Sequence, residues 1–188
     1  MKNGSILHEA IQIAEEVKKS IQFVNKDEVE TLINHITSAK TIFLAGLGRS
    51  GLMTRAFAMR LMQMGYQVHV VGETVTPAIG PKDLLIIGSG SGETQGLLSM
   101  TQKAKQFGAR IALLTVQPSS NIGQLADAVV QLPGATKDQS GITMETVQPM
   151  ASLFEQTLLI VLDAVILKLM SQQDLSSGNM FGNHANLE

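Results

Sequence analysis

The stretch TIFLAGLGRSG, residues 41–51, predicts a buried β-strand that runs into a glycine-rich loop. Its first part, Thr41 to Ala45, is a short apolar run of the kind found in parallel sheets, where both faces of each strand are covered. The glycines that follow end the strand and open a helix. Because parallel strands are joined by helical crossovers, this stretch predicts an α/β domain.

The rest of the chain repeats this arrangement. Four further apolar runs of strand length follow, at 67–71, 84–87, 110–115 and 128–132. Helical patterns at 51–64 and 94–107 provide crossovers, whereas the connection from 71 to 84 is a loop. The sequence therefore predicts a three-layer α/β/α sandwich with a five-stranded parallel sheet.

Helical segments flank this predicted sheet. Apolar residues spaced by three and four predict an N-terminal helix over 5–24, and a second helix from Asp27 to Ala39 completes an N-terminal helical extension. From Pro133 to Pro149 the chain is polar and rich in turns, and residues 150–170 then form a helix that is apolar on nearly every side. We expect residues 1–188 to form one domain with its core at about 30–172.

Composition excludes several functions. The 188 residues carry a net charge of -2, so the broad positive field of a nucleic-acid binder is not expected. The chain contains no Cys, which excludes disulfides and thiolate zinc sites and favours a reducing, cytoplasmic compartment. The four His have no metal-ligand spacing, so no metal site is expected. Charged residues interrupt the apolar helix at 150–170, which argues against a membrane span.

Two glycine-rich loops follow predicted strands. The first, GLGRSG at 46–51, matches the dinucleotide fingerprint G-x-G-x-x-G, and Glu73 lies 22 residues beyond its last glycine. However, this strand comes third in element order rather than first, and 188 residues leave little room for a second substrate domain. The nicotinamide interpretation is therefore disfavoured.

The second loop, GSGSGET at 88–94, lies directly between a strand and a helix. Its glycines allow close approach of an anion to the backbone, and Ser89, Ser91 and Thr94 add hydroxyl donors at a helix N-terminus. It lacks the lysine of a nucleotide-binding P-loop. The alternative is a helix cap, which needs only one hydroxyl. Loops at the carboxyl ends of two parallel strands predict one shared crevice that binds a phosphate.

Three motifs together resemble the sugar isomerase (SIS) domain family: GLGRSG at 46–51, VGETVTP at 71–77 and GSGSGET at 88–94. The similarity extends from about Glu30 through the tail. It implies a homo-oligomer, usually a tetramer, whose active sites are completed by neighbouring subunits. It also implies interconversion of D-arabino-hex-3-ulose 6-phosphate and D-fructose 6-phosphate through an enediol, a step of the ribulose monophosphate pathway, without metal or organic cofactor.

The resemblance also implies roles for individual residues. The substrate phosphate and sugar would be bound by Gly46, Arg49, Ser50, Ser89, Gly90, Ser91, Gly92, Glu93 and Thr94. Glu155 would be the catalytic base, and His184 would reach in from another chain. The N-terminal helix 5–24 and the tail 173–188 would contribute to the oligomer and the active site.

Each of these two catalytic candidates has a simpler interpretation. A carboxylate on an apolar helix is desolvated, which raises its pKa and suits a base. Glu155 could equally form an interface salt bridge, or lie near the helix start only because the helix dipole favours an acidic residue there. A terminal histidine such as His184 is commonly a solvent-facing residue. Two other functions stay open: isomerisation of another sugar phosphate, such as arabinose 5-phosphate, and a sensor of sugar phosphates without turnover.

Overall fold

The computed structural model of the chain describes residues 5–136 and 143–187. Two predicted features fall partly outside these ranges: residues 137–142 of the polar loop, and Glu188 at the end of the tail. The helices are α1 (Ile6–Ile21), α2 (Lys26–Ser38), α3 (Gly48–Gln63), α4 (Gln95–Gln106), α5 (Asn121–Leu125), α6 (Ser152–Gln172) and α7 (Ser177–Phe181). The strands are β1 (Ile42–Gly46), β2 (Val68–Val70), β3 (Leu84–Gly88), β4 (Arg110–Thr115) and β5 (Ala128–Gln131).

All five strands belong to one parallel sheet in the order β2-β1-β3-β4-β5, which confirms the predicted sheet. Each predicted apolar run coincides with a strand to within one residue at either end. The connection from β2 to β3 is a loop, as expected. The two short helices α5 and α7 were not predicted, because five residues are too few to show a helical period.

Alternate residues of each strand point to opposite faces of the sheet and build two separate cores. On one face, side chains such as Leu44 and Ile86 pack with buried residues of α2, α3 and α6. On the other face, side chains such as Phe43 and Ile87 pack with α4 and α5. The predicted three-layer sandwich is thereby confirmed.

The two N-terminal helices differ in how they join this sandwich. Leu32, Ile33 and Ile36 of α2 are buried in the same core as β1, so α2 is part of a layer rather than an extension. The first helix packs instead against α6. The third layer-forming helix, α6, buries most of its first turn, but further along it keeps an exposed face that includes Ile160, Asp163 and Leu167. No helix within the two described ranges is long and apolar enough to cross a membrane.

The chain reverses its direction of winding between β1 and β3. It passes from β1 outward to β2, then crosses back over to β3 on the other side of β1. Gly46 and Gly88, the last residues of β1 and β3, are partners in the sheet register. The two glycine-rich loops therefore leave the same edge of the sheet side by side, at the kind of switch point where α/β proteins bind ligands.

Glycine is required where β1 meets α3. A Cβ atom at Gly51 would lie 2.6 Å from the carbonyl oxygen of Gly46, and one at Gly46 would lie 2.9 Å from the Cα of Gly51. Neither contact can be relieved by turning a side chain, because the opposing atoms belong to the backbone. The pair thus allows the N-terminus of α3 to approach the end of the strand.

We expect Gly51→Ala to lower the free energy of unfolding by about 1–3 kcal/mol, because the new methyl group must displace backbone. Urea denaturation measures the effect. Gly96→Ala is the matched control, since its Cβ would meet only Leu47 Cδ1 at 3.9 Å within a helix. That control should gain about 0.5–1 kcal/mol from helix propensity. A Gly51→Ala chain as stable as the wild type would contradict the close approach.

Candidate active site

A cavity of about 320 Å³ lies between the loops that follow β1 and β3. Five of the predicted binding residues line it: Ser50, Ser89, Gly90, Ser91 and Thr94. The structure thus brings the two glycine-rich loops together in one crevice, as their position at the sheet edge predicts. The remaining walls are formed by Leu47, Gly48, Gly88, Leu97, Thr136 and Ala151.

The β3–α4 loop is fixed by its backbone. The carbonyl of Gly90 accepts hydrogen bonds from Val116 N at 3.0 Å and Thr115 Oγ1 at 3.0 Å, and that of Gly92 accepts one from Ile122 N at 3.2 Å. Gly92 has a φ of +63°, and a Cβ there would lie 1.9 Å from Ser120 Oγ, so only glycine fits. These bonds anchor the loop to the end of β4 and to the residues that follow it, which preorganises the cavity wall.

The three hydroxyl groups of this loop are not used up by helix capping. Ser89 Oγ accepts a hydrogen bond from Gly92 N at 3.2 Å, and Ser91 Oγ accepts one from Glu93 N at 3.2 Å. Because a hydroxyl both accepts and donates, each serine keeps its O–H for a ligand. Thr94 is the N-cap residue of α4, yet its side chain makes no capping hydrogen bond. The capping explanation therefore does not account for Thr94.

The predicted substrate ligand Glu93 is engaged elsewhere in the structure. Its carboxylate accepts hydrogen bonds from Asn121 N at 2.8 Å and Asn121 Nδ2 at 2.6 Å, at the start of α5. It lines a neighbouring polar cavity rather than the crevice. Gly46 and Gly92 are likewise not among the lining residues, and both act through backbone packing.

Glu155 forms an ion pair with Arg49 at the side of the crevice. Arg49 Nε lies 3.0 Å from Glu155 Oε2, and Arg49 Nη1 donates to Ser152 Oγ at 3.3 Å. The side chain of Glu155 is only 5% exposed, whereas that of Arg49 is 55% exposed. Glu155 also lies in the first turn of α6, where the helix dipole favours a negative charge. The carboxylate of Glu155 is buried, as predicted, and its negative charge is balanced by the Arg49 guanidinium.

Neither member of this pair lines the cavity, but both lie next to residues that do. Arg49 lies between Gly48 and Ser50, and Glu155 lies one helical turn after Ala151. The sequence singled out both residues separately but did not predict their contact. Their separation of more than 100 residues leaves no local pattern to indicate it.

His184 lies at the far end of α6 from Glu155 in its own chain. It stacks on Phe181 with ring centroids 5.9 Å apart, and it lines a groove with residues such as Asp163 and Ile166. Glu155 and Ile166 are separated by about 16 Å along the helix. The structure therefore does not bring His184 and Glu155 of one chain together.

Thr136 and Ala151 line the cavity but were not predicted as site residues. Both belong to the loop between β5 and α6, and both are buried. The sequence shows only a turn-rich segment there, with no motif to mark these two positions. Among residues 5–136 and 143–187, no three His, Asp or Glu side chains cluster closely enough to hold a metal ion.

The crevice and its loops agree with the comparison to known families. The model of the SIS domain matches residues 35–160. The chain belongs to the SIS domain family. This assignment confirms the resemblance inferred from the three sequence motifs.

Relatives of this SIS chain cover nearly its whole length. It is 51% identical to a Bacillus subtilis (strain 168) protein named 3-hexulose-6-phosphate isomerase, over 94% of this chain and 96% of the relative. A Mycobacterium gastri protein of the same name is 43% identical, over 94% and 88%. A crystal structure of a Methanococcus jannaschii protein, for which a function of 3-hexulose-6-phosphate isomerase was inferred, has a TM-score of 0.83 at 34% identity, over 96% and 99%.

The SIS crevice predicts an anion site that depends on Thr94. Removing the hydroxyl in Thr94→Val should weaken binding of inorganic phosphate about tenfold, because a hydrogen bond to a charged group is lost. Isothermal titration calorimetry measures this affinity. Stability should change by less than about 0.5 kcal/mol, since no capping bond is broken.

Thr31→Val is the matched control for this substitution. Thr31 lies on α2, where its hydroxyl bonds to the backbone oxygen of Asp27 and does not line the crevice. This variant should bind phosphate like the wild type. Unchanged phosphate affinity in Thr94→Val would exclude the hydroxyl as a ligand.

Proposed function

We propose that this chain is an isomerase that interconverts D-arabino-hex-3-ulose 6-phosphate and D-fructose 6-phosphate. The observation that carries the proposal is the similarity to proteins named 3-hexulose-6-phosphate isomerase over nearly the full length of both chains. The crevice also has the two features that such a substrate requires, which are a loop suited to binding a phosphate and a buried carboxylate beside it. We propose that the reaction serves the ribulose monophosphate pathway in the cytoplasm.

In this proposal the loop 88–94 binds the substrate phosphate. The hydroxyls of Ser89, Ser91 and Thr94, the amide of Gly90 and the N-terminus of α4 all supply hydrogen-bond donors or positive potential. The amide of Gly92 is instead bound to Ser89 Oγ and supports the loop. Glu93 supports the loop through Asn121 rather than by touching the phosphate. Binding through fixed dipoles agrees with a chain whose net charge is -2.

The reaction itself needs one base. Removal of the proton at C2 moves the C2–H electron pair into a C2–C3 double bond, and the C3 carbonyl oxygen takes up a proton to give the enediol. Loss of the proton from the C2 hydroxyl and protonation of C3 then place the carbonyl at C2. We assign the carbon proton transfers to Glu155, because a general base must be held close to the proton that it removes and Glu155 is a buried carboxylate beside the crevice.

Arg49 links this base to the sugar. Its side chain covers Glu155 and is itself half exposed, so a sugar that hydrogen-bonds to the guanidinium lies next to the carboxylate. A guanidinium has five N–H donors, and the contacts with Glu155 and Ser152 leave several for sugar oxygens. Gly46 shapes this part of the crevice, and Ser50 lines it.

A second subunit would supply His184. Large apolar side chains are exposed on the outer elements: Ile6, Leu7 and Ile11 on α1, Ile160 and Leu167 on α6, and Phe181 on α7. Burial of such side chains against other copies of the chain supports a homo-oligomer, which we propose to be a tetramer. In it, α1 and the tail 173–188 contribute to the subunit contacts, and the His184 imidazole relays hydroxyl protons in a neighbouring crevice.

The decisive experiment is a coupled assay for fructose 6-phosphate formed from the hexulose phosphate. We expect turnover by the wild type and a fall of about 10³ in kcat for Glu155→Gln, because the amide cannot accept the C2 proton. Glu155→Gln should still bind fructose 6-phosphate, which calorimetry measures. Wild-type activity in this variant would refute the assignment of the base.

Two other substrates separate the competing functions. Turnover of arabinose 5-phosphate or sedoheptulose 7-phosphate in place of the hexulose phosphate would indicate another isomerase of the family. Tight binding of a sugar phosphate without turnover of any of the three would indicate a sensor. Either result would overturn the proposed reaction while leaving the anion site intact.

Subunit sharing predicts complementation between inactive variants. Glu155→Gln and His184→Asn are unfolded together, refolded as a mixture and assayed beside each variant alone. If each site combines Glu155 of one chain with His184 of another, random assembly restores both residues in about a quarter of the sites. A mixture as inactive as its components, with oligomers of mixed composition present, would show that the two residues do not act in a shared site.

A further inference from the structure

Two side chains of α1 contact both arms of the loop that joins β5 to α6. We call residues 132–151 the β5–α6 loop, residues 132–136 its first arm and residues 143–151 its second arm. Thr136 and Ala151 from this loop line the crevice. Glu16 and Ser20 lie four residues apart on α1 and therefore on the same helix face. Neither belongs to a glycine-rich loop or to α6.

Glu16 binds the second arm of the loop. Its Oε2 accepts hydrogen bonds from Thr146 Oγ1 at 2.6 Å and Gln148 Nε2 at 3.0 Å, and its Oε1 accepts one from Val147 N at 3.0 Å. Burial by itself raises the pKa of Glu16, but these three hydrogen bonds and the nearby charge of Lys19 lower that pKa below its ordinary value. The carboxylate thus binds the arm in its ionised form.

Ser20 binds both the first arm of the loop and α6. It is fully buried, donates from Oγ to the carbonyl oxygen of Pro133 at 2.8 Å, and accepts from Thr157 Oγ1 at 3.2 Å. Thr157 lies two residues beyond Glu155 on the same helix. The Ser20 hydroxyl therefore connects the start of the loop with the first turns of α6.

The loop is also closed at its base. Gly134 N donates to Thr143 Oγ1 at 2.9 Å, and Thr143 N donates back to the Gly134 carbonyl at 2.9 Å. Gly134 in turn packs on α6, since a Cβ there would lie 3.3 Å from Phe154 N. With both arms joined here, the contacts of Glu16 and Ser20 fix the path by which the chain enters α6.

We propose that Glu16 is a positioning residue for the active site: by binding residues 146–148 it sets the entry into α6 and hence the place of Glu155 and of the cavity wall at Ala151. The expected effect of Glu16 on turnover rests on the proposed function. Its structural part, that α1 orders the loop, stands on the hydrogen bonds alone.

A carboxylate suits this position better than an amide. Val147 N and Gln148 Nε2 are donors only, so both need an acceptor oxygen on residue 16. In Glu16→Gln one of the two acceptor oxygens becomes an NH₂ group. Either Val147 N then faces another donor, or the side-chain amide of Gln148, whose Oε1 has no partner among the described residues, must turn over to face that group. The substitution changes neither the size of the side chain nor the helix around it.

The experiment compares Glu16→Gln with the wild type in three measurements. We expect kcat for the hexulose phosphate to fall about tenfold, because a small displacement of a catalytic group has a large effect on rate. The affinity for inorganic phosphate should stay unchanged, since the loop 88–94 is not touched. Hydrogen exchange of residues 143–151, followed by mass spectrometry, should become faster, while exchange of 84–94 stays unchanged.

Glu15→Gln is the matched control. Glu15 is adjacent on α1, exposed, and paired across the helix surface with Lys18. It should change none of the three measurements. Should Glu16→Gln fail to fold, Gln148→Met removes the bond from Gln148 Nε2 to Glu16 from the loop side and must lower kcat and speed exchange in 143–151.

The result that overturns the proposal is unchanged exchange in 143–151 in the folded variants. A loss of phosphate affinity with kcat intact, or an equal effect of Glu15→Gln, would overturn it as well. Absence of isomerase activity in the wild type would refute the proposed function instead. In that case faster exchange in Glu16→Gln would still support, and unchanged exchange would refute, the ordering of the loop by α1.

Discussion

The site depends on one close backbone contact, between the end of β1 and the first turn of α3. With no Cβ at Gly46 or Gly51, the helix starts directly above the strand. Gly88, on the neighbouring strand, makes room for side chains of α3 and α6 instead: a Cβ there would lie 2.7 Å from Thr54 Cγ2 and 3.1 Å from Leu158 Cδ2. These contacts place α3 and α6 over the edge where the two loops emerge. Larger residues would push the helices outward and open the crevice.

In the proposed function, this geometry lets a chain of net negative charge bind an anion. The one cation in the first loop, Arg49, is paired with Glu155, so it adds little free positive charge. The attraction must then come from oriented N–H groups, hydroxyls and the N-terminus of α4, whose effect is confined to a few ångströms. Such a site favours a single small phosphate on a neutral body. A polyanion would gain nothing from the surrounding surface.

The sequence predicts those features that arise from neighbouring residues. Strand bounds, the long apolar helix α6 and the glycine-rich loop between β3 and α4 follow from runs and spacings that are local, and all of them appear in the structure. What it could not predict depends on contacts between distant segments. The pair Arg49–Glu155, the bond of Glu93 to Asn121 and the place of Thr136 in the cavity wall leave no local pattern. α2 was interpreted as an extension because its periodicity shows that it buries one face but not which surface covers that face.

The two halves of the crevice therefore differ in how they are built. The phosphate half is a short stretch between β3 and α4, whose own backbone bonds fix it to the sheet. The sugar half combines Arg49, the β5–α6 loop and the first turn of α6, and α1 is needed to join the parts. A change of packing at α1 or α6 can move the second half while leaving the first in place. Because the proposed reaction places the reacting carbons against the second half, changes in sugar specificity are expected there, on a phosphate site that stays the same.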